Sequence, residues 1–274
     1  MTDLPTQTGR RVTRYLVPIS FFVVLIATWE VLARYLEIPA WLLPSPSAII
    51  AEAAKWRGIL LAHTGVTLGE ITLGFIMASG GGIILAVAIS YSETLGSILY
   101  PILVVSQSIP KVAIAPFFLI WVGYGITSKV LIVFLVAFFP IVVNTIFGLL
   151  DIEPDLLDLV RSFNASRVKT FIKVRLPSSL PSMFSGLKVG ITLAVAGAVI
   201  GEFVGSDSGL GYLILSAVGE LNTRLMFVCI AILAIIGIAL FYLVAASERI
   251  LIPWARSRSL RDRASVHSRK ERSD

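Results

Sequence analysis

Apolar runs recur along this chain at lengths that match the ~20 residues an α-helix needs to cross the hydrocarbon of a bilayer. Six of them extend from about Tyr15 to Ala33, Val66 to Ser90, Ile98 to Val122, Lys129 to Leu150, Met183 to Val204 and Leu225 to Ala246. A chain of 274 residues that is 56% hydrophobic and only 15% charged cannot bury this much apolar surface around a soluble core. Its solvent over most of its length is lipid, where backbone groups must be satisfied within each span or within a closed barrel. The ten-residue alternation of a barrel strand is missing, so the expected fold class is an all-α integral membrane protein with about six transmembrane helices.

The net charge of +6 does not mark a nucleic-acid binder, because the cations gather where spans end. Arg10, Arg11 and Arg14 precede the first run, and eight cations from Arg249 to Arg272 follow the last. With both termini cytoplasmic, seventeen basic residues lie inside and five outside, while Lys111 falls within a span. This assigns residues 1–14 to a cytoplasmic tail, 15–250 to the membrane domain and 251–274 to a basic, disordered cytoplasmic tail. Short helices are expected outside the membrane at Ala48 to Lys55 and around Tyr212 to Ser216. The apolar run after Arg14 is too long for a signal-peptide core and lacks a convincing cleavage site.

Between the fourth and fifth spans lies a polar, cation-rich segment, Asp155 to Pro177. Pro154 suits the first turn of a helix, and Asp155 is favoured there by the helix dipole. Leu156, Val160 and Phe163 recur at helical spacing, as do Val168, Phe171 and Ile172 in a second short helix capped by Ser166. Asn164 tolerates the left-handed turn between them, and Pro177 and Pro181 punctuate the return to the membrane. Such a piece can fill a groove on a soluble partner or rest on anionic headgroups; its residues alone favour neither.

The segment resembles the EAA loop of ABC-importer permeases. Asp158-Leu159-Val160, three residues, Asn164, nine residues and Val174-Arg175-Leu176-Pro177 keep the spacing of Glu-Ala-Ala, Gly and Ile-x-Leu-Pro in that family. The likeness extends over about residues 40 to 245. It includes Leu43 to Pro46, Gln107 to Lys111, Pro116 to Gly125, Phe138 to Pro140 with Asn144, and Gly201-Glu202-Phe203 followed by Gly209 to Tyr212. Together these are similar to the nitrate/sulfonate/taurine-type permeases, which also include carriers of thiamine-precursor pyrimidines and riboflavin. The resemblance implies a type I importer transmembrane domain in the cytoplasmic (inner) membrane, with a coupling helix between spans four and five. It also implies a pair of such subunits, expected as a homodimer, two cytoplasmic ABC ATPases and an external solute-binding protein. ATP and magnesium then belong to the ATPases, and no cofactor is expected on this chain. Asp155, Leu156, Asp158, Leu159, Val160, Arg161, Phe163, Asn164, Arg167 and Pro177 become the coupling residues.

Polar groups inside spans are costly and therefore mark candidate pathway positions: Gln107, Ser108, Lys111, Asn144 and Glu202. Lys111 offers an ammonium to an anionic substrate, or else snorkels or pairs with Glu202 or Glu70. Glu202 lines an outer gate or binds a backbone donor, and Asn144 reads first as an interhelical hydrogen bond. Gly80, Gly81 and Gly82 read as a site of close helix approach. No phosphate-binding G-x-x-x-x-G-K-[ST] loop is present, and two histidines, His63 and His267, are too few for a metal site. The expected function is a permease subunit moving a small solute, a sulfonate-, nitrate- or taurine-like anion toward which Lys111 leans, or a thiamine-precursor pyrimidine or similar small organic, with an autonomous channel or secondary carrier as the alternative.

Overall fold

The computed structural model describes residues 7–152 and 154–254. In chain order its helices are α1 (Gln7–Tyr35), α2 (Pro46–Lys55), α3 (Arg57–Tyr91), α4 (Glu93–Gln107), α5 (Lys111–Val122) and α6 (Ile126–Leu150). There follow α7 (Pro154–Ser162), α8 (Arg167–Thr170), α9 (Leu176–Gly205), α10 (Leu210–Gly219) and α11 (Thr223–Leu251). A π-helical turn, Phe171–Arg175, joins α8 to α9. The expected N-terminal tail enters α1 at Gln7, and residues 255–274 of the expected basic tail lie outside the described residues.

Five stretches are long and apolar enough to cross a membrane: Val17–Tyr35, Arg57–Tyr91, Ile126–Leu150, Arg167–Gly205 and Thr223–Leu251. The third expected span is the bent pair α4–α5, whose halves meet at 101°. Pro110 has no amide hydrogen to continue the ladder, and the Ser108 and Ile109 amides close α4 with i→i−3 bonds to the Val105 and Ser106 carbonyls. The Pro110 carbonyl then starts α5 by accepting from Ala113. Gly96 of α4 lies beside Ile89 near the end of α3, whereas Leu119 and Tyr124 lie against Gly205 at the far end of α9. The bent pair thus runs from one end of the bundle to the other and counts as the sixth span.

Two compact units are distinguishable, residues up to 63 with 213–232, and residues 64–212 with 233 onward. In the first, α1 exposes nearly every side chain from Val17 to Leu32, a surface tolerable only in lipid. Near its end Glu30 accepts from the backbone and hydroxyl of Ser47 at 3.0 and 2.8 Å. That places a carboxylate at the first turn of α2, where the helix dipole favours it. Asn222 caps α11 and donates to Glu52, which also accepts from the Trp56 indole.

The second unit is built on the antiparallel pair α6 and α9. Small residues line their seam: Gly148 faces Ser179 and Ser182, Gly186 faces Pro140 and Asn144, Gly190 faces Ile141, Gly197 faces Val133, and Gly201 faces Lys129. Lipid supplies no hydrophobic drive for helix association, so close backbone approach and dispersion hold such pairs together. α3 packs on them with Ile71, Ala78 and Ala86 buried. Of the three consecutive glycines in α3 only Gly82 is tightly packed, against Ile141 and Val142; the space beside Gly80 is open. Gly74, against Val133, is the closer approach.

Candidate functional site

At one end of the α6–α9 pair the chain forms the expected hairpin. α7 opens at Pro154 and closes with the Ala165 amide donating to the Val160 carbonyl across Asn164, whose φ is +49°. This is the 6→1 bond of a Schellman turn, and asparagine takes the left-handed position that most side chains avoid. Ser166 caps α8 by accepting from the Lys169 amide.

The second arm departs from expectation. α8 does not stop, and Pro177 and Pro181 do not break the chain: helix continues from Arg167 through to Gly205. Proline removes an i→i−4 bond and crowds the carbonyl four residues back. Here the ladder shifts register first, with the Leu176 amide donating to Phe171, five residues back. The π turn absorbs the missing donor of Pro177, so the hairpin is joined to α9 by continuous helix. Phe171 packs against Tyr91 in a tilted arrangement, 5.2 Å between centroids, and anchors this arm to α3.

The hairpin's apolar residues divide between two environments. Leu156, Val160 and Phe171 are half-buried, whereas Leu159, Phe163, Val168 and Ile172 are 54%, 76%, 57% and 56% exposed. The single stripe expected of Leu156, Val160 and Phe163 is therefore split, with Phe163 turned outward. Asp155, Asp158, Asn164, Arg167, Lys169 and Lys173 are exposed around this apolar patch. Four exposed large apolar side chains among charges form a surface that a protein groove can cover.

A second polar feature is the α4–α5 bend. Gln107 and Ser108 are exposed there. The Lys111 ammonium donates to the Gln107 carbonyl at 2.6 Å and lies 5.3 Å from the centroid of the Phe139 ring. Lys111 thus satisfies a carbonyl left over at the end of α4 and pairs with neither Glu70 nor Glu202. Asn144 donates to the Pro140 carbonyl of its own helix at 2.8 Å, where an interhelical bond was expected.

At the end of α6 and α9 remote from the hairpin lies a closed polar cluster. Glu70 and Glu202 are fully buried and Lys129 is 4% exposed. The Lys129 ammonium is 2.8 Å from a Glu70 carboxylate oxygen and donates to Ser206 Oγ at 2.6 Å. Thr67 Oγ1 donates to Glu202 at 2.6 Å and accepts from the Leu210 amide at 2.8 Å. The other Glu202 oxygen accepts from the Gly211 amide. Glu202 thus meets the Gly211 amide in the first turn of α10, and a Cβ at Gly209, whose φ is +108°, or at Gly211 would overlap its carboxylate. Of the five expected pathway residues, Gln107, Ser108 and Lys111 come together at the bend, while Asn144 and Glu202 sit apart from it. Lys129 is the residue that reading by segments passes over. Its signal is a cation in the first turn of a helix, where the dipole disfavours it unless an acid is near.

The family model described as "Binding-protein-dependent transport system inner membrane component" matches residues 70–257. The chain is 36% identical to a formylaminopyrimidine transport permease protein of Halalkalibacterium halodurans, over 89% of this chain and 98% of that one. A riboflavin transport system permease protein of Chloroflexus aurantiacus is 37% identical, over 88% and 90%. A taurine transport system permease protein of Escherichia coli is 30% identical, over 86% and 88%. Among solved structures, the inward-facing MetNI methionine ABC transporter superposes with a TM-score of 0.60 at 21% identity, over 73% of this chain and 97% of that one. This last likeness gives the fold.

Proposed function

The chain belongs to the family of binding-protein-dependent transport system inner membrane components, and from that premise we propose how it works as the membrane-spanning subunit of an ABC importer for a small solute. Two copies of the chain form the path. Each presents its 155–177 hairpin to a cytoplasmic ABC ATPase, which hydrolyses ATP with magnesium, and an external binding protein delivers the solute at the opposite face. Both termini lie in the cytoplasm. The observation that carries this reading is the hairpin: an exposed apolar patch ringed by charges and welded by continuous helix to α9.

The path passes the α4–α5 bend, where Gln107, Ser108 and Lys111 offer polar groups, with Asn144 further along α6. Movement of the hairpins tilts α6 and α9 and exposes the bend to one side and then the other, a rigid-body form of alternating access. The solute we favour is a small nitrogen heterocycle of the pyrimidine or flavin kind over a sulfonate, taurine or nitrate anion. Higher identity to the pyrimidine and riboflavin carriers than to the taurine carrier supports this choice. So does Lys111, whose ammonium is already held by a carbonyl and a ring rather than presented to an anion.

The test is uptake by vesicles containing the chain with its ATPase and binding protein, using a labelled aminopyrimidine, riboflavin and taurine in parallel. Uptake is expected only with ATP on the hairpin side, and for a heterocycle. Equal uptake without nucleotide would identify a channel or secondary carrier instead.

A further inference from the structure

We infer that Thr67, Glu70, Lys129 and Glu202 are positioning residues that transmit motion of the hairpin to the start of α10; the inference rests on the importer reading. The two helices that leave the hairpin, α6 and α9, carry Lys129 and Glu202 at their far ends. From Leu150 to Lys129 is about 32 Å at 1.5 Å per residue. Along that length glycines and serines bring the two backbones together at five levels, so the pair moves as a single lever.

At the lever's end the side chains of Lys129, Glu202 and Thr67 bond across from one segment to another. Lys129 of α6 holds Glu70 of α3 and Ser206 in the turn after α9. Glu202 of α9 holds Thr67 of α3 and the Gly211 amide. Thr67 relays the contact to the Leu210 amide. Thus α3, α6, α9 and the first turn of α10 share one joint. The joint has no slack, since Gly209 and Gly211 leave no room for a side chain between α10 and the carboxylate. Charged groups buried away from water are far stronger joints than exposed ones, because a broken bond leaves an uncompensated charge. A joint that served only to stabilise the fold would not need to include the first amides of a short helix beyond the last turn of α9. Its placement at the end of the lever opposite the ATPase-docking hairpin makes it the point where hairpin motion reaches the outer mouth of the path.

The experiment compares solute molecules moved per ATP hydrolysed in vesicles holding the complete complex with its binding protein, for Thr67→Val, Thr67→Ser and Glu202→Gln. Thr67→Val keeps the shape but removes the relay, and Thr67→Ser restores the hydroxyl. Glu202→Gln keeps an acceptor for Thr67 and turns an amide donor toward Gly211. Thr67→Val and Glu202→Gln are expected to lower the ratio about fivefold or more, within the range of coupling changes seen for residues that contact neither ligand. ATP hydrolysis per assembled complex is expected to stay within about twofold, and Thr67→Ser to keep the native ratio. A purely structural role would reduce the amount of assembled complex without changing the ratio. A native ratio in Thr67→Val and in Glu202→Gln overturns the inference, and should Glu202→Gln fail to assemble, the Thr67 pair decides alone. Absence of ATP-driven uptake in the unmodified complex would strike the importer reading itself, not the joint.

Discussion

The two ends of the α6–α9 pair treat charge in opposite ways. At the hairpin, Asp155, Asp158, Arg167, Lys169 and Lys173 stand in the open around exposed Leu159, Phe163, Val168 and Ile172. At the remote end, Glu70, Lys129 and Glu202 are buried and bonded to groups from other segments. Exposed ion pairs contribute little to a fold, whereas breaking a buried pair is costly. One end therefore encloses its charges within the chain, and the other presents them to the surroundings with an apolar patch. Stability and function should separate accordingly along a single pair of helices.

Substitutions can break or sharpen that contrast, each read as the change in unfolding free energy of the isolated chain in detergent. Lys129→Met leaves Glu70 buried without its cation and is expected to cost about 3–5 kcal/mol. Adding Glu70→Gln should recover much of this, since the uncompensated charge is then gone. Next comes the seam. A Cβ at Gly186 would lie 2.8 Å from that of Asn144 and 3.1 Å from the Pro140 carbonyl oxygen, so Gly186→Leu should cost about 1–3 kcal/mol by overpacking. Smaller again is Tyr91→Ala, which removes the ring that anchors Phe171 and is expected to cost about 1 kcal/mol. Last is Phe163→Asp, at the exposed tip, which should change the isolated chain's stability by no more than about 0.5 kcal/mol. A reversal of this order, with the hairpin variant more damaging than Lys129→Met, would mean that the hairpin is structural and the contrast misread.

Features governed by local chemistry were legible in the sequence. The apolar runs announce the all-α membrane fold, and Pro154, Asn164 and Ser166 place the hairpin's start, turn and second cap where they occur. Pro110 with its polar neighbours marks the break in the third span, although nothing local sets its angle of 101°. Pro177 misled because the π turn at Phe171–Arg175 shifts the ladder ahead of it, and Pro181 because α9 carries it inside the helix, as α6 carries Pro140. The remote cluster was hidden because its members, Glu70, Lys129 and Glu202, come from three different spans. Each looks separately like a hydrated residue at a span end, and only the fold brings them together. The division of the hairpin stripe, with Val160 inward and Phe163 outward, likewise depends on where α7 rests and not on spacing.

The most direct measurement is co-purification of the full chain with its ABC ATPase, comparing the native hairpin with Asp158→Lys/Phe163→Asp. The double variant is expected to insert, fold and pair with a second copy as before. It should retain less than about a tenth of the ATPase, as a partner's loss of a hot-spot aromatic at an interface would produce. Its ATP-driven uptake should fall in proportion. Undiminished ATPase binding and uptake by this variant would contradict the assignment of the hairpin as the point where force enters the membrane domain.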